Sequence, residues 1–167
     1  MSYLLKIQGA TFRKFQYTVF QDTDWEMQAG ENWMIVGGSG SGKTTFLEIL
    51  EGRVLKTGGE VSRNFAGTDT ENIASVYFND PSFNYGDFYC QQRYNASETD
   101  NVLTVRNFLK LNTAESFSEL QALGVAHLLD TEIIKLSNGQ FKKMLIAKAL
   151  MKKPRLLLLD NLYTGLD

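Results

Sequence analysis

The sequence contains very little cysteine and no excess of positive charge. Its 167 residues include one cysteine, Cys90, which excludes an internal disulfide and cannot by itself form a cysteine zinc site. We therefore expect the protein to work in a reducing compartment. Lysine and arginine number 17 against 19 acidic residues, a net charge of −2. A general nucleic-acid-binding protein normally has a marked basic excess, so the charge balance argues against that class.

Long hydrophobic stretches are also missing. No apolar run approaches the roughly 20 residues that a membrane-spanning helix needs, and residues 1–7 lack the basic start and long apolar stretch of a secretory signal. The length fits one domain, and a content of 43% hydrophobic and 12% aromatic residues is typical of a globular protein with a packed core. Work at a membrane would therefore require a partner that spans it.

Short strands and helices alternate along most of the chain. The apolar and β-branched runs predict strands at Tyr3–Ile7, Phe15–Phe20, Trp25–Met27, Asn32–Val36, Glu60–Asn64, Ile73–Phe78 and Leu156–Leu159. Helical spacing and end signals predict helices at Thr45–Glu51, Val105–Leu111, Ser118–Leu129 and from near Ser137 to Met151. This alternation indicates an α/β fold with a mainly parallel sheet. Residues 81–101 are polar and hold no period, so we expect a surface insertion there.

A glycine-rich loop follows the predicted strand Asn32–Val36. The residues Gly37-Gly38-Ser39-Gly40-Ser41-Gly42-Lys43-Thr44 match the phosphate-loop pattern G-x-x-x-x-G-K-[ST]. Glycines allow backbone N–H groups to surround a phosphate, and the helix that follows directs its positive end at the same anion. Lys43 can reach the terminal phosphates and the Thr44 hydroxyl can ligate Mg²⁺. The alternative is a flexible Gly/Ser turn, but a chance match in a chain of this length is expected at roughly the one per cent level or below.

An acidic residue ends the leucine-rich strand. Asp160 follows Leu156–Leu159, and a carboxylate at the carboxyl end of a strand beside a phosphate loop can hold Mg²⁺ through water. Taken alone, an aspartate in this place is merely the end of a strand. Together with the phosphate loop it is the predicted metal anchor.

Two further motifs carry a resemblance to a known family. Leu136-Ser137-Asn138-Gly139-Gln140 precedes Asp160, and the chain ends in Thr164-Gly165-Leu166-Asp167. With the phosphate loop, these segments resemble the signature sequence L-S-G-G-Q and the D-loop of ATP-binding cassette (ABC) ATPases, in the same order and spacing. The resemblance covers essentially the whole chain.

The resemblance implies a P-loop NTPase fold of the ABC type. In that fold the mainly parallel sheet carries an N-terminal antiparallel β-subdomain and an inserted helical subdomain. We accordingly expect residues 1–80 and 155–167 to form a nucleotide-binding core, residues 81–101 a polar insertion, and residues 102–154 a helical subdomain with the signature motif, all within one partial cassette.

The same resemblance implies binding of ATP and Mg²⁺. The nucleotide-binding residues would be Gly37, Gly38, Ser39, Gly40, Ser41, Gly42, Lys43, Thr44, Thr45 and Phe15, and the metal-binding residues would be Thr44, Asp160 and Asn79. In the family, the signature residues corresponding to Ser137, Gly139 and Gln140 contact the ATP held by the opposite cassette. Taken alone, Ser137 with its glycine reads more readily as an ordinary helix N-cap.

The implied function is that of the ATP-binding subunit of an ABC transporter. Its partners would be a second cassette, either a copy of this chain or a tandem domain, and an integral membrane permease, with no direct nucleic-acid contact. The expected location is the cytoplasm, at the inner face of the membrane. Phe88–Asn95 and Thr104-Val105-Arg106 also look like the branch of molybdate-transport and photorepair ATP-binding proteins. The alternatives are a soluble ABC-type ATPase in repair or translation, and a degenerate module that binds ATP without hydrolysing it.

The chain departs from the family pattern at several positions. Asn161 stands where the family usually has a glutamate that polarises the attacking water, and loss of a general base typically costs about 10²–10⁴-fold in rate. Asn79 stands near the usual Q-loop glutamine. The adenine-stacking aromatic aligns near Lys14, between Phe12 and Phe15, and each of these phenylalanines could equally belong to the core.

The C-terminal end is the largest departure from the family pattern. The sequence stops at Asp167, before the family's switch histidine, and we expect a fragment or a disrupted gene. The single histidine, His127, lies upstream of the signature, where no catalytic role is expected.

Overall fold

The computed structural model describes residues 3–77, 103–111 and 117–161. Within it, the chain forms two compact units, Met1–Ile73 and Ala74–Asp167. The predicted insertion at 81–101, Asn79 and the D-loop residues 164–167 lie outside the described residues. The expected division into nucleotide-binding core, insertion and helical subdomain therefore stays a prediction.

The first unit contains a three-stranded antiparallel sheet. Its strands are β1 (Tyr3–Lys14), β2 (Tyr17–Gln28) and β3 (Leu55–Arg63), in the order β2-β1-β3. The central strand β1 alternates buried and more exposed side chains along much of its length, as expected for a strand with one face on a core. The predicted strand Trp25–Met27 and residues 17–20 of the predicted strand Phe15–Phe20 belong to the single strand β2, which register shifts interrupt but do not end. The first two residues of that second prediction, Phe15 and Gln16, form the turn before β2.

Two helices complete the described part of the first unit. Helix α1 (Lys43–Leu50) follows the glycine-rich loop, and the short helix α2 (Asp69–Asn72) follows β3. The carbonyls at the end of α1 lack helical partners, and the Arg63 guanidinium donates to those of Leu50 at 3.1 Å and Ile49 at 3.4 Å. The buried apolar side chains of this unit come from the sheet, from α1 and from the residue directly before β3: Leu4, Leu5, Ile7, Ala10, Phe12, Met27, Leu47, Ile49, Leu50 and Val54.

The predicted strand Asn32–Val36 is wrong. This segment has no strand geometry and belongs to neither sheet. Its apolar side chains are exposed, with Trp33 at 53% and Val36 at 78%. A strand exists only through ladder hydrogen bonds to a neighbour, and an apolar run alone does not supply that neighbour.

The second unit pairs two strands and packs them with helices. Strands β4 (Ile73–Tyr77) and β5 (Leu156–Asp160) form a parallel sheet. The helices are α3 (Val105–Leu109), α4 (Phe117–Ala122) and α5 (Asn138–Leu150), with 3₁₀ turns at Ala126–Leu128 and Ile133–Lys135. One apolar cluster draws on β4, the three helices, the turn Ile133–Lys135 and residues beside these elements: Ala74, Val76, Val105, Leu109, Leu120, Val125, Leu129, Ile133, Leu136, Phe141, Met144, Leu145, Ala147 and Ala149. Leu157 and Leu159 of β5 pack against that cluster.

One of the two long helices predicted in the second unit is confirmed and the other is shorter than predicted. Helix α5, with Ser137 as N-cap and Met151 as C-cap, confirms the predicted helix. The prediction of one helix over Ser118–Leu129 is wrong, because α4 ends at Ala122. Gly124 adopts a left-handed φ of 69°, and the Val125 N–H donates to the Leu120 carbonyl at 2.9 Å, which is a Schellman ending.

Within the part of the chain that the structure describes, no helix has both the length and the apolar character needed to cross a membrane.

Candidate phosphate-binding site

The glycine-rich loop leads directly into a helix, as the motif requires. Gly42 adopts a left-handed φ of 90° and immediately precedes α1. The Gly42 carbonyl accepts the first helical hydrogen bond, from the Phe46 N–H at 2.8 Å. The Ser41 N–H donates to the Gly38 carbonyl at 3.3 Å and closes a tight turn within the loop. The predicted helix after the glycine-rich loop is therefore present, whereas the strand predicted before the loop is not.

The Lys43 side chain folds back over the loop. Its Nζ donates to the Gly37 carbonyl at 2.8 Å and the Gly38 carbonyl at 2.6 Å, and lies 3.4 Å from the Ser41 hydroxyl oxygen. An ammonium has three donors and no acceptor, so three oxygens of the loop surround it. Phosphate oxygens can take the place of these neutral acceptors and would bind the cation more strongly, because both partners would then be charged.

The backbone of the loop is open at two of its glycines. A Cβ built on Gly38 or Gly40 would meet nothing within 4 Å, so the backbone is open on that side. The helix N-terminus brings partial positive charge to the same place. Thr44 lies exposed in the first turn of α1, and its hydroxyl is a ligand type that suits Mg²⁺. A magnesium-bound phosphate chain requires a cation, open backbone, a helix N-terminus and a hydroxyl. The loop and the first turn of α1 contain all four of these groups.

Aromatic side chains support the other side of the loop. A Cβ on Gly42 would lie 3.3 Å from Cζ of Phe20, and the Phe20 and Phe46 ring centroids are 5.7 Å apart. Trp25 extends this cluster, with its centroid 5.5 Å from that of Phe46 and 5.4 Å from that of Trp33. The sequence-based reasoning missed this support, because the aromatics are spread over β2, the segment before the loop, and α1.

A carboxylate fixes the segment that enters the loop. Glu31 Oε2 accepts from the Gln28 N–H at 2.9 Å and from Nε1 of Trp33 at 3.0 Å. The backbone hydrogen bond from Gln28, followed by the one from Trp33, lowers the pKa of Glu31 below its usual value of 4.5. Hydrogen bonds of this kind favour the charged form. Glu31 therefore holds Trp33 beside the aromatic cluster as a carboxylate.

The two phenylalanines that could stack on a base differ in their exposure to solvent. Phe12 is 2% exposed and belongs to the core of the first unit. Phe15 is 91% exposed and lies in the two-residue turn between β1 and β2, at a φ of 54°. Phe12 is therefore not accessible to a nucleotide base, and Phe15 stays the predicted stacking residue.

The signature segment begins helix α5 with a reciprocal cap. The Gln140 N–H donates to the Ser137 hydroxyl at 3.2 Å, and the Ser137 N–H donates to Oε1 of Gln140 at 2.9 Å. This capping box satisfies two backbone donors that a helix start otherwise leaves unpaired. Gly139 lies in the first turn of α5. The arrangement agrees with the cap interpretation, and contact with the ATP of a second cassette stays a prediction.

The predicted metal anchor and the glutamate position lie at the end of β5. Asp160 is the last residue of that strand and is partly buried. Asn161 follows, exposed, at a left-handed φ of 58°, a conformation that asparagine tolerates better than most residues. His127 is exposed in a 3₁₀ turn. Within the three described ranges, no three or more His, Cys, Asp or Glu side chains group together as they would to hold a metal ion.

Comparison with known proteins identifies the class to which this fold and loop belong. A family model described as ABC transporter matches residues 20–164, so the chain belongs to the ABC transporter family. Two solved structures share the fold. The structure of cbiO1 from Clostridium perfringens, part of the ABC transporter complex cbiONQ, has a TM-score of 0.72 and 24% identity, and the match covers 100% of this chain and 68% of that one. A nucleotide-free ATP-binding cassette from an ABC transporter has a TM-score of 0.71 and 19% identity over 98% and 71%. The predicted P-loop NTPase fold of ABC type is confirmed.

Sequence relatives include ATP-binding proteins of import systems. The molybdate/tungstate import ATP-binding protein WtpC of Thermococcus kodakarensis is 32% identical over 174 residues, which cover 98% of this chain and 49% of the relative. The zinc import ATP-binding protein ZnuC of Roseobacter denitrificans is 34% identical over 168 residues, which cover 98% and 58%. The chain thus spans about half the length of the curated relatives it matches.

Proposed function

We propose that this chain binds MgATP through the loop Gly37–Thr44, as the ATP-binding subunit of an ABC import system. The observation that carries the proposal is the Lys43 ammonium, held by two loop carbonyls at 2.6–2.8 Å beside an open glycine backbone. Membership of the ABC transporter family supports the nucleotide as the ligand. Charge-assisted hydrogen bonds from Lys43 and the N-terminus of α1 would orient the phosphates.

Residues of this chain would also hold the metal ion. Mg²⁺, when bound, neutralises charge that develops on the β- and γ-phosphate oxygens. The Thr44 hydroxyl is the proposed direct ligand, and Asp160 and Asn79 are proposed to act through water. Phe15, exposed in its turn, is proposed to stack on the adenine.

The partners belong to the same proposal. Ser137, Gly139 and Gln140 would meet the ATP held by a second cassette, and a membrane permease would place the assembly at the inner face of the membrane. Phe88–Asn95 and Thr104-Val105-Arg106 support molybdate as the transported substrate, as does the molybdate/tungstate relative. The zinc import relative is as similar. Transport assays that compare molybdate with zinc therefore test this part of the proposal.

A second candidate is an ATP-binding module that does not hydrolyse ATP. Asn161 favours it, because an amide can orient a water but cannot accept its proton. Phosphate release by the full-length protein with its partner cassette separates the two candidates. Turnover of bound ATP supports the transporter subunit, and tight binding without turnover supports the module.

The test of the main proposal is a Lys43-dependent stabilisation by MgATP. A ligand at 100 times its Kd adds about 2.7 kcal/mol, which raises the melting temperature of a chain this size by roughly 5–10 °C. Lys43→Ala should abolish this rise. Lys56→Ala is the matched control, because its Nζ also donates to a backbone carbonyl, that of Gly59 at 2.9 Å, but on β3. A full MgATP response in the Lys43→Ala variant would refute the proposed phosphate site.

A further inference from the structure

An ion pair joins the β1–β2 turn to the helix of the phosphate loop. Lys14, the last residue of β1, places its Nζ 2.5 Å from Oε2 of Glu48 on α1. Both side chains are partly buried, with 39% of Lys14 and 20% of Glu48 exposed. Partial burial reduces the screening by water that makes fully exposed pairs weak. The contact therefore links two elements that are 34 residues apart in sequence.

The strand end of this link is a hydrogen-bonded turn. Lys14 pairs with Tyr17 across the two residues Phe15 and Gln16, and Nη2 of Arg13 donates to the Gln16 carbonyl at 3.0 Å. The backbone on both sides of Phe15 is therefore fixed by hydrogen bonds. Because Phe15 directly follows Lys14, a change in the position of the Lys14 backbone changes the position of Phe15.

The helix end of this link lies on the face of α1 that carries Thr44. Residues four apart on a helix occupy the same face, about 6 Å apart along the axis. Glu48 is thus one turn beyond Thr44 and five residues after Lys43. The ion pair with Lys14 therefore influences the distance between the first turn of α1 and the β1–β2 turn.

We propose that Lys14 and Glu48 are positioning residues that set the separation between the exposed Phe15 ring and the phosphate loop. The inference rests on the proposed function and adds a specificity determinant to it. A ligand with both a base and phosphates contacts both ends of the link and depends on their spacing. A ligand of phosphates alone contacts only the loop and does not.

The distinguishing measurement compares ATP with inorganic tripolyphosphate, both with Mg²⁺, by calorimetric titration of the full chain. Glu48→Gln should weaken ATP binding about two- to fivefold, the range expected from losing a pair worth up to about 1 kcal/mol. Tripolyphosphate binding should change by less than the error of the titration. The ratio of the two affinities is a readout that a general loss of stability would not move.

The chain offers a matched control. Lys6 and Glu26 form an ion pair at 3.0 Å with 31% and 39% exposure, and it joins β1 to β2 where the Lys14–Glu48 pair joins β1 to α1. Glu26→Gln should leave both affinities and their ratio unchanged. Lys14→Arg should retain the wild-type ratio, and the exchange of both charges, Lys14→Glu with Glu48→Lys, should restore much of it. Lys14→Gln tests the link from its other end if Glu48→Gln folds poorly.

Each outcome decides the inference. Equal weakening of ATP and tripolyphosphate by Glu48→Gln, or no weakening of either, would overturn the positioning role while leaving the phosphate site intact. Wild-type protein that binds neither ligand, or that binds both without dependence on Lys43, would overturn the proposed function itself. Selective loss of ATP affinity, with the Glu26 control unchanged, establishes the role.

Discussion

Replacement of Gly42 by alanine tests how the backbone of the loop is built. Gly42 stands at φ 90° and ψ 9° directly before α1, and a left-handed conformation costs a residue with a Cβ about 1–2 kcal/mol. The new methyl would also lie 3.3 Å from Cζ of Phe20. The half-buried Phe20 ring would have to shift by a few tenths of an ångström, which adds about 1 kcal/mol. We therefore expect Gly42→Ala to lower the free energy of unfolding by about 2–3 kcal/mol.

Gly30→Ala separates the two contributions. Gly30 has a similar φ of 85°, but a Cβ there would meet nothing within 4 Å. It should show the backbone cost alone, about 1–2 kcal/mol, which lowers the melting temperature of a chain this size by roughly 2–8 °C. The melting temperature of Gly42→Ala should be roughly 2–4 °C lower than that of Gly30→Ala. Phe20→Leu in the Gly42→Ala background should recover part of that difference.

Nucleotide binding supplies the second readout for Gly42→Ala. Relief of the strain would require rotation of the residue whose carbonyl accepts the first hydrogen bond of α1, from Phe46. The phosphate-binding backbone would then shift. A tenfold loss of affinity halves the stabilisation by MgATP, from about 2.7 to about 1.4 kcal/mol at the same concentration, whereas Gly30→Ala should keep it. Equal melting temperatures for the two variants, with an unchanged response to MgATP, would refute this account of the loop.

Three further predictions follow from local geometry. Asn161→Glu should raise ATP turnover of the assembled full-length protein, up to about 10²–10⁴-fold, despite the strain of a glutamate at φ 58°; unchanged phosphate release would count against a missing base. Ser137→Ala removes the hydroxyl that caps α5 through Gln140, so denaturant unfolding should show a loss of about 1 kcal/mol with MgATP binding retained. Because Glu31 has a lowered pKa, its bond to Trp33 should hold above pH 4.5 and break as the pH falls further. Tryptophan fluorescence of wild type, but not of Glu31→Gln, should then change in that acidic range.

The local structure of the glycine-rich loop and of the signature segment depends on contacts between near neighbours. The three acceptors of the Lys43 ammonium lie at Gly37, Gly38 and Ser41, all within six residues of it. The cap of α5 joins Ser137 to a residue three positions later. A short motif can specify such contacts completely, because the chain cannot separate the partners. The helix after the glycine-rich loop and the capped helix α5 were therefore predictable from residue types and spacing. Phosphate binding by the loop stays a prediction.

The predictions that failed depended on distant partners or on competing local signals. Asn32–Val36 has the composition of a strand, but composition does not supply the neighbouring strand that a ladder needs. The helix predicted over Ser118–Leu129 stops early because Gly124 adopts a left-handed φ of 69°, and a glycine within a helical pattern is tolerated in some helices and ends others. Phe12 is buried and Phe15 is exposed because Phe15 lies in the turn of the hairpin. The pairing of β1 with β2 decides which residues form that turn.

The proposal assigns ATP binding and ATP hydrolysis to different residues. Lys43 and the loop Gly37–Thr44 are proposed to hold the phosphates, whereas Asn161 affects turnover because an amide cannot accept a proton. Changes at Asn161 should therefore alter turnover while the MgATP-induced rise in melting temperature stays the same. Changes at Lys43 should abolish both, because a nucleotide that does not bind cannot be hydrolysed. An Asn161→Glu variant that lost the MgATP response would show instead that the two functions share residues.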